Sequence, residues 1–598
     1  MKEYAAPLRD MRFVLRDLAP LDEVTELPGY ADASHELVDE ILKEAGKFAA
    51  GVLSPLNREG DRVGAKWKDG EVTTAPGWKD AYRQFVDGGW NALSFSPDHG
   101  GQGLPRLVAT LVEEMWNGAN MAFALCPMLT KGSIEALELC GSAELKERYL
   151  GKLVSGEWAG TMLLTEPNAG SDLAAVRTKA VPQGDGTFKL TGQKIFITYG
   201  EQDLTENIVH LALARTPTAP EGVKGISLFV VPKFLPTADG GLGARNDVRC
   251  VSIEHKLGIH GSPTAVLALG DGEGAVGWLV GEENRGLEYM FIMMNAARFQ
   301  VGIEGVGLSQ RAYQAAVDYA RERLQGTELG AKSRDRVAIV RHPDVRRMLM
   351  EMRARTEAMR ALACVVASAT DTARLHPDAA RRKAAGAFVD LMIPVVKGWS
   401  TENANLVTSL GVQVHGGMGY VEETGAAQLY RDARITTIYE GTTGIQAADL
   451  IGRKVARDGG AALLAVIGEM RATEAALRKE DGSAQQAIAT RLGEGIAALE
   501  KAGRWVAATF ATDVRRAAVG AVPFLELAGV VAGGWQMGRA ALAAAKHLRA
   551  GGDDAAFYKA KLVTARFYAE QVLVKAAGLA AAVTDGAEGA LAIEDEQL

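Results

Sequence analysis

Glu440 stands where a carboxylate could work as a base. It closes the apolar-leaning run Ile435 to Tyr439 and is followed at once by Gly441, Thr442, Thr443 and Gly444, inside the stretch Arg431–Gln446. An acid at the edge of an apolar wall loses hydration of its charged form, which raises its pKa toward the range useful for proton abstraction near neutral pH. The same residues also fit a plain helix-terminal Glu before a glycine turn, and this stretch alone does not choose between the two. Three other stretches could serve chemistry. In Thr161–Asp172, Pro167 and Gly170 bend the backbone, so that amides and the hydroxyls of Thr165 and Ser171 could face a polar ring or phosphate. In Thr191–Gly200, strand alternation would put Phe196 and Thr198 on one face, an aromatic plate beside a hydroxyl. Gln413–Tyr420 carries Gly416, Gly417 and Gly419, which let another backbone or a ligand approach closely; His415 in the same loop reads as structural.

Several chemistries find no support. There is no strand-Gly-x-Gly-x-x-Gly-helix unit and no P-loop, so nicotinamide and ATP chemistry are not expected. No His-Glu-x-x-His, Cys/His cluster or Gly-x-Ser-x-Gly elbow is present, which leaves zinc and serine hydrolysis without residues to perform them.

The elements that must position these residues follow from periodicity. Residues 1–35 carry Pro7, Pro20 and Pro28 and read as an extension laid over another surface. Beyond Ser34, a plausible N-cap, Leu37, Val38, Ile41, Leu42 and Ala45 recur at helical spacing, and the helical pattern returns at Leu107–Trp116 and Ile134–Leu150. Residues 36–160 are therefore expected to form a helical N-terminal domain. Between 161 and 283 come short β-branched runs: Thr187–Leu190, Lys194–Thr198, Ile208–Ala214, Ile226–Val231, Val248–Ile253 and Ala265–Leu269. They predict an inserted antiparallel β-barrel or sandwich. Long helical runs then occupy 284–457, notably Met290–Leu324, Val345–Leu375 and Ala379–Leu410, the pattern of a four-helix bundle. An Ala-rich helical region from 458 to 598 reads as an extra C-terminal bundle. The fold class is mainly α with an inserted β domain.

Composition agrees with a globular chain of three or four domains: 598 residues, 47% hydrophobic and 23% charged. A net charge of −8, and 16 basic against 17 acidic residues from Ala456 onward, argue against a nucleic-acid coat. Cys126, Cys140, Cys250 and Cys364 are widely spaced, as expected for reduced thiols of a cytoplasmic protein and not for a disulfide frame or a metal site. No export signal is read at the N-terminus, and Ala521–Ala545, interrupted by Pro523, Glu526 and Arg539, fits a buried helix better than a membrane span.

Taken in order, these motifs resemble the acyl-CoA dehydrogenase family of flavoproteins over about residues 36–455. Thr165–Asp172 matches the family's Thr-Glu-Pro-x-Ala-Gly-Ser-Asp loop, Phe196-Ile197-Thr198 its Trp-Ile-Thr strand, and Lys256–Thr264 its Lys-x-Gly-x-x-Gly-Ser-Pro-Thr segment. The resemblance implies FAD, held by Met162, Leu164, Thr165, Gly170, Ser171, Phe196, Thr198, Thr442 and Thr443. It also implies that Arg323 binds the flavin, that His342 lies near the flavin diphosphate, and that Gln413, Gly416 and Gly417 reach the adenine end of a neighbouring subunit's flavin. Ser171, Asn295, Arg298 and Gly441 are implied for the substrate; Asn295 departs from the Asp of many relatives. The family seats its base at one of two places, and since Ala297 fills the other, the resemblance makes Glu440 the base.

The implied reaction is FAD-dependent α,β-desaturation of an acyl-CoA, with electrons passed to an electron-transferring flavoprotein and no nucleic acid or integral membrane segment involved. The extension and the helical tail resemble those of longer bacterial members acting on 3-(methylthio)propanoyl-CoA or fatty acyl-CoA, which implies a homodimer. Helical tails also occur in acyl-CoA oxidases and in a DNA-associated flavoprotein of the alkylation response. These are the alternative readings, and the balanced charges of the tail oppose the second.

Overall fold

A computed structural model describes residues 3–330 and 332–598. The chain folds into two compact units, one made of Met1–Gly46, Pro105–Gly118 and Val301–Leu598, the other of Lys47–Leu104 and Ala119–Gln300.

The second unit is built on a sheet of eight strands: β1 (Trp158–Leu163), β2 (Lys179–Pro182), β3 (Phe188–Thr198), β4 (Asn207–Ala214), β5 (Ser227–Pro232), β6 (Val248–Ile253), β7 (Thr264–Leu269) and β8 (Ala275–Val280). The path runs β6-β7-β3-β8-β5-β4-β1, with β2 also paired to β3. This corrects the expected antiparallel barrel or sandwich. The path is open, its ends β6 and β1 do not pair, and β1 lies parallel to β4 in the register Trp158↔Asn207 to Leu163↔Ala212. The parallel strand β1 is not among the runs read as strands, so its pairing with β4 is not part of the expectation. Both faces are covered. Leu211, Leu213, Leu228 and Val230 pack with Met290 and Met293 on one side, while Ala212, Phe229, Val231 and Leu267 pack on the other, so β1, β4, β5 and β7 are buried along their whole length.

The helix leading into β1 has clear ends: the Ser142 hydroxyl accepts from Leu145 N–H at 3.2 Å, and Gly156 closes it at φ +84°. It starts at Ala143, so the expected single helix over Ile134–Leu150 is broken at Gly141 and Ser142. The preceding helix, Arg106–Cys140, is interrupted at Asn120 (φ −161°, ψ 85°), whose side-chain oxygen caps the next turn by accepting from Phe123 N–H at 3.1 Å.

In the first unit, long helices Pro343–Leu375 and Ala379–His415 pack with the Val301–Glu322 portion of Gly286–Glu322. The tail helix Ala521–Ala550 lies against Trp399, where a Cβ on Gly529 would come within 2.1 Å of the indole. The tail thus belongs to the same compact unit. The N-terminal residues form short helices at Leu8–Phe13 and Leu21–Thr25. Asp10 bonds Arg360 and Lys561, and buried Arg360 also meets Glu114. Burial works against the Asp10 carboxylate, but those cations hold it down at about 2.

Among the described residues no helix is long and apolar enough to cross a membrane, and no group of His, Cys, Asp or Glu could hold a metal ion. All four cysteines are free.

Candidate active site

Each unit carries one set of the residues singled out by sequence. In the sheet unit, a β-bulge decides what β3 presents. Plain alternation would send Phe196 and Thr198 to the same face as the buried Leu190 and Lys194. Opposite β7, however, the register slips between Ala265 and Leu267, and Phe196 takes a left-handed φ of +60°. The phase reverses: Ile197 turns inward at 2% exposure while Phe196 stands 59% exposed, with Thr198 also on the open side. The end of β3 is braced by the Lys256–Thr264 segment, where Tyr199 N–H donates to Pro263 C=O at 2.8 Å and the Lys256 ammonium donates to Ser262 C=O at 2.9 Å.

The loop after β1 is anchored by a pair that sequence reading did not single out. Glu166 accepts from Lys194 Nζ at 2.8 Å, Thr178 Oγ1 at 2.6 Å and Arg177 N–H at 2.7 Å. Burial alone would raise its pKa, but the ammonium and these bonds hold it below the usual carboxylate range. Lys194, fully buried, also donates to Leu164 C=O at 3.1 Å and Leu213 C=O at 2.8 Å. The signal was present, since a lysine at a core-facing position of a strand demands a buried partner. With Glu166 turned inward, the hydroxyls of Thr165, Ser171 and Thr198 have no side-chain or backbone partner among the described residues, and the space beside Gly170 is open. Met162 is buried in β1, and Leu164 is half-buried. Asn295 and Arg298 share a helix turn, Nη1 lying 3.3 Å from the Asn oxygen, with the Arg298 guanidinium 5.9 Å from the Phe291 ring centre. Ala297 beside it is buried.

In the helical unit, Arg323 and His342 are brought together by a short ladder. Gln325 N–H donates to Val337 C=O at 2.9 Å, Ile339 N–H donates to Arg323 C=O at 2.8 Å, and the His342 imidazole bonds Gln325 C=O at 2.7 Å. The Arg323 guanidinium is exposed. Gln413, Gly416 and Gly417 are exposed at the end of Ala379–His415, with open space where a Cβ would project from either glycine. His415 is turned inward, stacked on Tyr319 with centroids 4.5 Å apart and bonded to Gly411 C=O at 2.7 Å.

Glu440 occupies a left-handed turn at φ +55°, followed by Gly441 at +84°. A non-glycine residue in this region is strained, so the surroundings must hold it. They do: Gln446 Nε2 donates to Glu440 C=O at 3.1 Å, and the fully buried Lys397 donates to Gly441 C=O at 2.6 Å. Thr442 caps the next helix by accepting from Ile445 N–H at 3.2 Å, and Thr443 donates to Glu402 at 2.5 Å. The hydroxyls of these two threonines are thus engaged within the protein.

Residues 35–157, 161–271 and 284–455 match the acyl-CoA dehydrogenase N-terminal, middle and C-terminal domains, and 466–594 match a domain described as acetyl-CoA dehydrogenase C-terminal like. The chain belongs to the acyl-CoA dehydrogenase family, whose members are FAD-dependent oxidoreductases. It is 50% identical to 3-methylmercaptopropionyl-CoA dehydrogenase of Ruegeria pomeroyi, over 98% of this chain and 99% of that one. It is 36% identical to the broad-specificity linear acyl-CoA dehydrogenase FadE5 of Mycobacterium tuberculosis over 96% of each chain. The solved structure of Caenorhabditis elegans ACDH-11 in complex with C11-CoA shares the fold, with a TM-score of 0.75 at 22% identity, covering 96% of this chain and 93% of that one. The residues present fit FAD. In the sheet unit, three uncommitted hydroxyls and an exposed aromatic plate suit the heteroatoms and faces of a flavin ring.

Proposed function

We propose that Glu440 is the base in α,β-desaturation of an acyl-CoA thioester to its trans-2-enoyl-CoA. The proposed substrate is 3-(methylthio)propanoyl-CoA, the same acyl group as in the name of the Ruegeria pomeroyi relative. The observation that carries the reading is the left-handed turn at Glu440, pinned through both its own carbonyl and that of Gly441. Glu440 removes the α-proton. Its backbone N–H stabilises the enolate-like oxygen, a donor of the kind worth about 3 kcal/mol. FAD, when bound, supplies the hydride acceptor. Thr165, Ser171, Thr198 and Phe196 hold and orient the flavin ring, with Met162, Leu164, Gly170, Thr442 and Thr443 around it. Arg323 binds the flavin, His342 lies near its diphosphate, and Gln413, Gly416 and Gly417 serve the adenine end of the partner's cofactor. Arg298, Asn295, Ser171 and Gly441 serve the substrate.

The electrons pass to an electron-transferring flavoprotein, the chain works as a homodimer, and its free cysteines support a reducing, cytoplasmic location. Medium- and long-chain acyl-CoA are the competing substrates, in keeping with the relative named as a broad-specificity linear acyl-CoA dehydrogenase. Anaerobic flavin bleaching with a panel of acyl-CoA thioesters tests the assignment. Highest kcat/KM for 3-(methylthio)propanoyl-CoA is expected, and a clear preference for long straight chains would replace it. Peroxide formed stoichiometrically with product in air would replace the electron-transferring flavoprotein by oxygen. A light-scattering mass of two chains is expected, and four would refute the dimer.

A further inference from the structure

A second acid lies behind Glu440, and the proposed mechanism does not use it. Glu304 sits on the helix Gly286–Glu322 between Gly302 and Gly305. A Cβ on Gly302 would meet Val396 C=O at 2.9 Å, and one on Gly305 would meet Ser400 C=O at 2.8 Å. The two glycines therefore let this helix approach the backbone of Ala379–His415 closely, and the acid between them is sealed from water at 0% exposure. Tyr439 donates its hydroxyl to Glu304 Oε2, while Oε1 is buried and has no hydrogen-bond partner among the described residues. A carboxylate with an oxygen left bare in a dry site is unfavourable, whereas a neutral acid tolerates it. The charged and titratable groups acting on Glu304 are Tyr439, Lys397 and Glu440. Burial, with a lesser push from Glu440, raises Glu304 to about 8 against the hydroxyl of Tyr439 and the charge of Lys397.

We propose that Glu304 is a positioning residue for the base: through the Tyr439 hydroxyl it fixes the residue before Glu440, and so holds the left-handed turn together with Lys397 and Gln446. Three anchors then flank one turn: Tyr439 by its side chain, Glu440 by its carbonyl through Gln446, and Gly441 by its carbonyl through Lys397. Held neutral at physiological pH, Glu304 adds no second negative charge behind the base. Above its titration it does, and the ionised neighbour makes Glu440 a stronger base. The inference rests on Glu440 being the base.

The test uses the FAD-loaded full chain with acyl-CoA under anaerobic conditions, reading flavin bleaching and steady-state constants, with FAD content and melting temperature recorded for each variant. Glu304→Ala is expected to lower kcat by about tenfold with KM changed by less than about twofold, because an interaction that orients the base without touching substrate is lost. Glu304→Gln keeps an acceptor for Tyr439 and is expected to recover most of that loss. In the wild type the bleaching rate should rise through a second step near pH 8, and in Glu304→Gln this step should vanish. Glu304→Ala with wild-type kcat, or a step that persists in Glu304→Gln, overturns the inference; if Glu304→Ala does not fold, the Glu304→Gln pH profile decides alone. Wild-type bleaching by Glu440→Gln would overturn the base assignment and this inference with it. An inactive Glu440→Gln beside an unaffected Glu304→Ala would overturn this inference only.

Discussion

Lys397 Nζ donates to the carbonyl of Gly441 at 2.6 Å, so a fully buried lysine on a long helix holds the residue that follows the candidate base. Lys397→Met keeps the length of the side chain and removes the donor. The expected cost is about 1–3 kcal/mol in unfolding free energy, since a buried carbonyl loses its hydrogen bond. Thermal or denaturant unfolding measures it. The same change removes a charge that lowers the pKa of Glu304, so the upper step of the bleaching profile should move above its wild-type position near pH 8.

Glu166 and Lys194 make a separate prediction for the sheet unit. Glu166→Ala leaves the fully buried ammonium with only the carbonyls of Leu164 and Leu213. Loss of one partner of a buried pair costs about 3–5 kcal/mol. The loop carrying Thr165 and Ser171 loosens with it. A lower melting temperature and loss of flavin absorbance on gel filtration are expected, and Glu166→Gln should lie between this variant and the wild type.

Much of this was legible in the chain. The 3.6-residue period located the long helices of 284–457 to within a few residues, as in Ala379–His415 against an expected Ala379–Leu410, but not Arg106–Cys140. Five of the eight sheet strands were legible as runs, but β1, β2 and β8 were not read as strands, and so the parallel pairing of β1 with β4 was not foreseen. Phe196 and Thr198 were expected on one face, but that this face is the open one and not the face of buried Leu190 and Lys194 follows from a bulge that alternation does not reveal. Contiguous motifs gave Thr165, Ser171, Arg323 and Glu440 as candidates. Glu304, Lys397 and Lys194 escaped because their roles arise from packing across long sequence distances. Their only local sign is a charge in an apolar setting, for Glu304 within Val301-Gly302-Ile303-Glu304-Gly305-Val306.

His210 sets a pH limit on stability. Its Nδ1 shares a 2.6 Å hydrogen bond with the Thr161 hydroxyl between the parallel strands β4 and β1. Burial, aided by Lys233 and Arg245, pulls its pKa from 6.5 to about 3. Between those values the unfolded chain binds the proton and the folded chain does not, so the contribution is complete above about 6.5 and is lost as pH falls toward 3. The expected loss is of the order of several kcal/mol over that window. Melting temperature recorded from pH 7 to pH 4 should fall less steeply in His210→Gln than in the wild type, and parallel slopes would show that another group controls the decline.

Glu440→Gln tests the central assignment most directly. Rapid anaerobic mixing of the FAD-loaded variant with acyl-CoA should show a flavin that is bound and yellow but bleaches orders of magnitude more slowly than in the wild type, because the amide cannot take the α-proton. Bleaching at the wild-type rate would show that another group removes the proton.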